Sequence, residues 1–408
     1  MCRPAALSAW IAELRSVFPH LSKPQVRVLA EYSYGMVLAH GCGLCCVATA
    51  LALWLGQTFN TVRERLRDWY CPATDKSGDR RRELEVESCF APLLAWVLRH
   101  WQGTDLAIAL DATTLGQRFV VLAICVLYRG STIPVAWVVL PEMAKGAWKP
   151  HWLRLLAHFK DLVPPEHRVI VLADRGLYAR WLFRAIVDLG WHPLLRINTD
   201  QAQFKADGPA SRYRAIDRLL KKTGDDYGAT GTIFRSKRAR LHCTLLASRT
   251  EGHKQGWFLL TDLPPEHARA QWYALRMWIE RGFRHIKSGG WKWQQTRMID
   301  PERASHLWLA MSVASMLLIR QGTITDAAAD PPSRSTTYGN SRIGGNSTNA
   351  DDNGTPRKPR RVLSVFCTGL LLVQTALLAN QPLPRSRFLP ESFPAPPAIP
   401  AAHPAHPP

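Results

Sequence analysis

The order of apolar runs between residues 106 and 197 restricts the possible folds of this chain more than any other feature. Three short runs rich in Val, Ile and Leu come first, and the turn at residues 129–131 predicts a hairpin between the second and third. A helical pattern, an apolar run that stops at Asp174, another helical pattern and a last apolar run follow. The predicted strands are 106–111, 119–128, 132–140, 169–173 and 193–197, and the predicted helices are 151–162 and 177–189.

This order of three strands, a helix, a strand, a helix and a strand is typical of a ribonuclease H-like α/β core, which we place at residues 104–320. A polar, glycine-containing segment at about 198–264 interrupts this core. Its strand-like runs predict a β-rich insertion. These runs are 230–234, 241–248 and 257–261.

The segments on either side of the core have different compositions. Helical patterns at 24–39, 42–55 and 58–70 predict a helical N-terminal domain, residues 1–103. After the core, Ser, Thr, Asn, Gly and Pro dominate, and such segments bury too little apolar surface to fold alone. We therefore predict a disordered linker at 321–361, a C-terminal helix at 362–380 and a Pro-rich disordered tail at 381–408.

The charge balance predicts a polyanionic partner. The 408 residues include 52 Lys and Arg against 32 Asp and Glu, a formal net charge of +20. Nucleic acid and an anionic membrane surface both fit this charge. Because Arg63, Arg65 and Arg67 lie on one predicted N-terminal helix, we assign DNA binding to the N-terminal domain.

Two apolar runs, 41–56 and 362–378, leave a membrane-associated alternative open. Both are short for a helix that must cross about 30 Å of hydrocarbon, so we expect buried helices and no membrane. The first 18 residues lack a signal-peptide pattern, which predicts a cytoplasmic protein.

The nine cysteines favour a reducing compartment, because their number is odd and their spacing irregular. Cys42, Cys45 and Cys46 include a C-x-x-C spacing that is typical of zinc sites. No second pair accompanies it, and the run is rich in Ala and Leu. We therefore predict small buried side chains in a core helix.

Two carboxylates stand at the ends of predicted strands. Asp111 ends the first strand and Asp174 ends the fourth. Carboxylates that meet at one edge of a sheet suit Mg²⁺, which prefers oxygen ligands and keeps water sites for substrate phosphate. A two-metal site needs a further carboxylate. Taken singly, each Asp also fits a simple turn or helix cap.

The third carboxylate is predicted on a long helix over residues 266–288. At about 3.6 residues per turn, Tyr273, Arg276, Glu280 and Lys287 fall within roughly 60° of arc. Arg284 lies on the same stripe. This face offers one acid for metal and several cations for phosphate oxygens, although a solvated face with salt bridges has the same pattern.

The spacing of these residues resembles a family signature. The spacing matches the Y-(2)-R-(3)-E-(6)-K signature of DDE transposases of the IS-four insertion-sequence family. The matching residues are Tyr273, Arg276, Glu280 and Lys287, which are separated by two, three and six residues. The Asp-Ala-Thr at 111–113 and the Asp-Arg at 174–175 resemble the family's first and second acidic motifs. The resemblance covers about residues 106–318.

The resemblance implies roles for particular residues. Asp111, Asp174 and Glu280 would be catalytic and would bind two Mg²⁺ ions, which Mn²⁺ can replace. In similar enzymes a Trp of the β insertion stacks on a flipped base, and Trp257 holds the comparable place, although it also fits a core position in the last inserted strand. The implied phosphate contacts are Tyr273, Arg276, Lys287, Arg175 and Arg284.

The expected function is therefore transposition of a bacterial insertion sequence. The resemblance implies metal-dependent cleavage at the terminal inverted repeats of double-stranded DNA and joining of the 3′-OH to target DNA, with a homodimer on the DNA. A ribonuclease H-like nuclease without strand transfer and a catalytically inactive DNA-binding derivative remain open. A basic membrane-associated protein is the remaining alternative.

Overall fold

The computed structural model describes residues 4–76, 82–142, 147–249, 255–329, 363–391 and 393. These residues form two compact units. The first holds the described parts of 4–169, 275–329 and 363–391, and the second holds those of 170–274 together with residue 393. The fold is mixed α/β, as the sequence predicts.

The helices and strands of the described residues are numbered in chain order. The α-helices are α1 (Ala5–Val17), α2 (Lys23–Ala39), α3 (Leu44–Leu55), α4 (Phe59–Arg67), α5 (Phe90–His100), α6 (Lys149–Ala157), α7 (Arg180–Val187), α8 (Met277–Arg284), α9 (Pro301–Ala329) and α10 (Val365–Leu378). The strands are β1 (Asp105–Leu115), β2 (Phe119–Tyr128), β3 (Ser131–Pro141), β4 (Arg168–Ala173), β5 (His192–Arg196), β6 (Gln203–Ala206), β7 (Arg214–Ala215), β8 (Asp226–Ile233), β9 (Leu241–Ser248) and β10 (Trp257–Thr261).

The first unit is built around the antiparallel strands β1, β2 and β3, with β2 in the middle. Every residue of β2 is buried, which explains its continuous apolar sequence. Helices α5, α6, α8 and α9 all pack against β3. Helix α9 is buried along most of its length and forms the centre of this unit.

The N-terminal helices belong to the first unit. Trp69 of the α4–α5 connection donates its indole N–H to the carbonyl of His306 in α9 at 2.8 Å. Trp54 of α3 donates to the carbonyl of Leu377 in α10 at 3.0 Å. Residues 5–100 therefore share one unit with β1–β3, whereas the sequence predicted a separate domain ending at residue 103.

The second unit contains one parallel strand pair and an antiparallel extension. Strands β4 and β5 are parallel and are connected through α7, so this is a β-α-β crossover. Strand β10 pairs with β5, and β9, β8, β6 and β7 continue the sheet with antiparallel pairing. The strand-like runs at 241–248 and 257–261 coincide with β9 and β10, and the run at 230–234 overlaps the second half of β8.

The C-terminal region differs from the prediction in two places. Helix α9 runs to Ala329, so residues 321–329 are helical where a disordered linker was expected. The alanines at 327–329 have high helix propensity and extend the buried helix. Phe388 is fully buried and bridges to Trp101, so the first part of the predicted disordered tail is packed on the first unit. Residues 330–361, 392 and 394–408 of those predictions lie outside the described residues.

The predicted C-terminal helix is present as α10, which begins after Ser364. The Ser364 side chain accepts a hydrogen bond from the backbone N–H of Cys367 at 3.2 Å and so caps the helix. Close packing of α10 on α9 depends on Gly369, because a Cβ at this position would overlap the backbone at Leu318.

The two apolar runs that suggested buried helices are only half-buried. Leu53 in α3 is 80% exposed and Leu378 in α10 is 68% exposed. Cys45 and Cys46 are also exposed, so the prediction that all three clustered cysteines are buried is wrong for these two. They lie near the start of α3, whereas Cys42 precedes the helix and is buried.

By length and composition, one described helix could cross a membrane. It spans Pro301–Thr325 of α9, and 94% of its most apolar stretch is buried inside the protein. The bent pair α2 and α3 passes the same test only if its two helices count as one span with a 95° bend.

Candidate active site

A polar pocket of about 680 Å³ lies in the first unit. Its walls are the second half of β1, the turn after it, α8 and the turn that follows α8. Four residues that the sequence predicts to act in catalysis or DNA binding line this pocket: Asp111, Glu280, Arg284 and Lys287.

Asp111 does not end its strand, contrary to the prediction. Strand β1 continues four residues further, and Asp111 pairs across the ladder with Ala123. The continuation is stabilised by a tight hairpin, because Gly116 adopts φ +58° and returns the chain into β2. The side chain of Asp111 is 14% exposed, and its Oδ1 accepts the N–H of Ala112 at 2.9 Å.

The segment that carries the other residues is not one α-helix, so the predicted helix over 266–288 is wrong. A 3₁₀ turn at Pro265–His267 is followed by Ala268 in an extended conformation. A second 3₁₀ segment, Ala270–Arg276, leads into α8, and a π-helical turn follows at His285–Gly289.

This irregular helix changes the predicted stripe. The angle per residue differs between 3₁₀, α and π segments, so a single 100° step does not describe residues 273–287. Arg276, Glu280 and Lys287 nevertheless lie in the first unit around or beside the pocket, whereas Tyr273 belongs to the second unit.

Arg276 joins the two carboxylates of the pocket. Its Nη2 lies 2.9 Å from Oδ2 of Asp111, and its Nη1 lies 3.1 Å from Oε1 of Glu280. The Arg276 side chain is only 12% exposed, whereas Glu280 is 51% exposed. In this structure the guanidinium therefore binds acids rather than serving as an open phosphate contact.

The Asp111 and Glu280 pair fits a divalent cation by donor chemistry. Both offer carboxylate oxygens, the ligands that Mg²⁺ prefers, and one cationic group already lies between them. Within the described ranges, no group of three or more His, Cys, Asp and Glu is arranged to hold a metal. The carboxylate oxygens of these two acids are therefore chemically suited to a divalent cation.

Lys287 and Arg118 add positive charge to the pocket. Lys287 Nζ lies 3.4 Å from the carbonyl oxygen of Thr114, across the pocket from α8. Sequence reasoning missed Arg118, which lies in the β1–β2 turn and donates to the carbonyls of Thr296 at 2.5 Å and Met298 at 2.9 Å. Its position two residues after Gly116, at the end of the Asp-Ala-Thr strand, is the signal that could have identified it.

Close packing of α8 on β3 sets the position of Glu280. Gly282 faces Thr132 of β3, and a Cβ at Gly282 would overlap the Thr132 side chain. The missing side chain lets α8 approach the sheet, two residues after Glu280. A larger residue at position 282 would displace the helix that carries this carboxylate.

The remaining predicted site residues lie in the second unit. Asp174 directly follows β4, and its Oδ1 accepts the N–H groups of Gly176 at 2.8 Å and Leu177 at 3.2 Å, which forms an Asx turn. Trp257 in β10 and Tyr273 meet edge to face, with ring centroids 5.4 Å apart. Tyr273 is buried and Trp257 is partly exposed.

Arg175 is exposed and lines a different pocket of the second unit, of about 320 Å³. Arg196 and Arg249 line the same pocket. Asp200 and Asp217 also line it, so this pocket of the second unit holds three guanidinium groups and two carboxylates.

The π turn that carries Lys287 also contains His285, whose ring stacks on Phe366 of α10 at 4.4 Å. Burial, together with the nearby Arg284 and Arg281 cations, lowers the pKa of His285 to about 4. Folding thus favours the neutral ring, so this contribution to stability is complete above about pH 6.5 and is lost as the pH falls towards 4.

We expect wild-type protein to lose stability between pH 6.5 and 4 faster than a His285→Phe variant, which keeps a stacked ring but cannot bind a proton. The difference would be at most about 1.4 kcal/mol per pH unit. Urea unfolding at several pH values measures it. If the free energy of unfolding changes equally with pH in the two proteins, His285 does not contribute to the pH dependence of stability.

A pocket with paired carboxylates, a bridging guanidinium and further cations belongs to the class of sites that handle phosphate groups. Residues 102–317 match the family model of the transposase DDE domain. The chain belongs to this family. No curated protein matches it.

Among solved structures, the chain is similar to a piggyBac transposase synaptic complex with hairpin DNA, determined by cryo-electron microscopy. The identity is 10% and the TM-score is 0.37, and the match covers 86% of this chain and 85% of the other.

Proposed function

We propose that this protein is the transposase of a bacterial insertion sequence of the IS-four type, with a ribonuclease H-like catalytic core. It cleaves double-stranded DNA at the terminal inverted repeats and joins the released 3′-OH to target DNA. The observation that carries the proposal is the pairing of Asp111 and Glu280 through Arg276, within the region that matches the transposase DDE domain.

In this proposal Asp111, Asp174 and Glu280 are the catalytic carboxylates and hold two Mg²⁺ ions, for which Mn²⁺ can substitute. When bound by these acids, the ions would supply a lowered pKa for an attacking water or hydroxyl and would neutralise charge on the leaving oxygen. The oxygen donors of Asp111 and Glu280 support this assignment for two of the three acids.

The cations position DNA. Lys287 and Arg284, which line the pocket with Glu280, bind phosphates next to the scissile bond. Arg175, which follows Asp174 and is exposed, binds a further phosphate. Arg276 neutralises Asp111 and Glu280 until a divalent ion binds, and its guanidinium is then available to DNA phosphate.

Tyr273 and Trp257 serve the DNA end. Their contact in the second unit supports a joint role in which Tyr273 fixes the Trp257 ring and contacts phosphate while Trp257 stacks on a flipped base. We further propose that two copies act together on DNA as a homodimer in the cytoplasm, with no membrane association.

The test is cleavage of a supercoiled plasmid that carries the DNA flanking the gene on each side. We expect cutting at those ends in Mg²⁺ or Mn²⁺ and none in EDTA, with joined target DNA among the products. Cutting without joining would identify a nuclease of the same family instead. DNA binding with no cutting in any metal would leave an inactive DNA-binding derivative and contradict the enzymatic proposal.

A further inference from the structure

A second cationic surface of the first unit lies away from the candidate active site. This surface, the N-terminal groove, has a volume of about 600 Å³ and is lined by residues of α1, α2 and α4 together with Lys76, Arg82 and Leu84. Asp68 is the only carboxylate among its lining residues in the described chain. The cations that line it are Arg15, Lys23, Arg27, Arg65, Lys76 and Arg82.

Two of these arginines are fixed in place by one buried acid. Glu31 is fully buried, and its Oε1 lies 2.7 Å from Nε of Arg27 while its Oε2 lies 2.5 Å from Nε of Arg65. A buried carboxylate needs charged partners, so both side chains are held against the groove wall. Two guanidinium groups against one carboxylate leave a net positive charge there.

Three other cations are exposed at the groove. Arg15, Lys23 and Arg82 have no carboxylate within 4 Å among the residues that the structure describes. Lys23 is also the first residue of α2, where the helix dipole adds positive potential. These side chains can therefore contact anions without breaking an existing ion pair.

The amide side chains that typically read adenine contribute little to the groove. Its one amide side chain, Gln25, is already engaged, because it accepts the backbone N–H of Ser22 at 2.9 Å and donates to the carbonyl of Glu83 at 3.1 Å. Lysine and arginine contacts to phosphate fix the position of DNA but carry no sequence information directly.

We propose that the N-terminal groove binds the phosphate backbone of duplex DNA irrespective of base sequence. This inference rests on the proposed function, which makes duplex DNA the polyanion that the protein meets. The cations come from three helices and a neighbouring segment, so they can follow a phosphate chain rather than enclose a single anion. The groove then supplies general affinity, while recognition of the element's ends takes place elsewhere.

The test compares two triple variants that remove the same charge. One carries Arg15→Gln, Lys23→Gln and Arg82→Gln, and the control carries Arg99→Gln, Lys160→Gln and Arg385→Gln, which are exposed residues of the same unit outside the groove. Fluorescence anisotropy in EDTA measures Kd across salt concentrations for three DNAs: an element end, a scrambled duplex and a single strand.

We expect the groove variant to lose at least about tenfold in affinity for both duplexes at low salt, and the slope of log Kd against log salt to fall by about 2 to 3. The control should change much less, and both variants should unfold at similar temperatures. Equal losses in the two variants would overturn the proposal, as would a loss restricted to the element end or to the single strand.

This experiment is separate from the test of the proposed function. Binding is measured without divalent metal, so a protein that cannot cut DNA still reports on the groove. If the groove variant cleaves plasmid normally and its Kd for DNA is unchanged, only the proposed role of the groove is contradicted.

Discussion

A Glu280→Gln variant is expected to cut the element's ends about a thousandfold more slowly than wild type, with nearly unchanged DNA affinity. Removing one carboxylate ligand costs several kcal/mol of transition-state stabilisation, and about 4 kcal/mol corresponds to that factor. Stability should change little, because Glu280 is half exposed and its ion pair with Arg276 resembles surface pairs worth about 1 kcal/mol or less.

Single-turnover cleavage of an end-containing duplex in Mg²⁺ measures this effect. Asp111→Asn should be impaired to a similar degree, and Glu302→Gln, which changes an exposed acid at the start of α9, should cut normally. If Glu280→Gln cuts at the wild-type rate, the third catalytic acid lies elsewhere in the chain. Weaker DNA binding that parallels the loss of cutting would instead assign Glu280 to DNA positioning.

Strand positions were predictable because their apolar runs reflect burial on both faces. Strand β2 was predicted at its observed bounds, since all of its residues are buried. The end of β1 was not predictable, because it depends on the pairing of residues 112–115 with β2. Local sequence thus placed Asp111 at the end of a strand, whereas the structure places it inside β1.

Helix continuity was harder to predict than helix location. The residues from Tyr273 to Lys287 have the spacing of a regular helix, but the extended Ala268 and the π turn depend on tertiary contacts. The stacking of Phe366 on His285 is one such contact, and it joins residues 81 positions apart. Sequence periodicity carries no information about a partner that distant.

The sequence also could not predict which charged residues pair with each other. Arg276 was predicted to bind phosphate from its place in the family signature, but its contact with Asp111 spans 165 positions. Similarly, Arg65 was chosen for its spacing with two other arginines, and only the structure shows that buried Glu31 holds it. Residue types predicted the kind of chemistry, whereas the pairing required the fold.

Removal of the Arg276 side chain should expose a direct competition between this guanidinium and divalent metal. In EDTA we expect Arg276→Ala to lose about 3 kcal/mol in the free energy of unfolding, because the largely buried Asp111 would lose its cation. Mg²⁺ should then raise the unfolding temperature of the variant by more than that of wild type, since it replaces a missing charge rather than displacing a bound one.

Thermal unfolding in EDTA and in a series of Mg²⁺ concentrations measures this competition without any need for activity. Arg276→Lys is the matched control, because an ammonium keeps the charge but lacks the two-sided geometry that spans Asp111 and Glu280. It should fall between wild type and Arg276→Ala in both stability and response to Mg²⁺. Equal stabilisation of all three proteins by Mg²⁺ would mean that the metal does not use the carboxylates that Arg276 joins, and the assignment of Asp111 and Glu280 as metal ligands would be wrong.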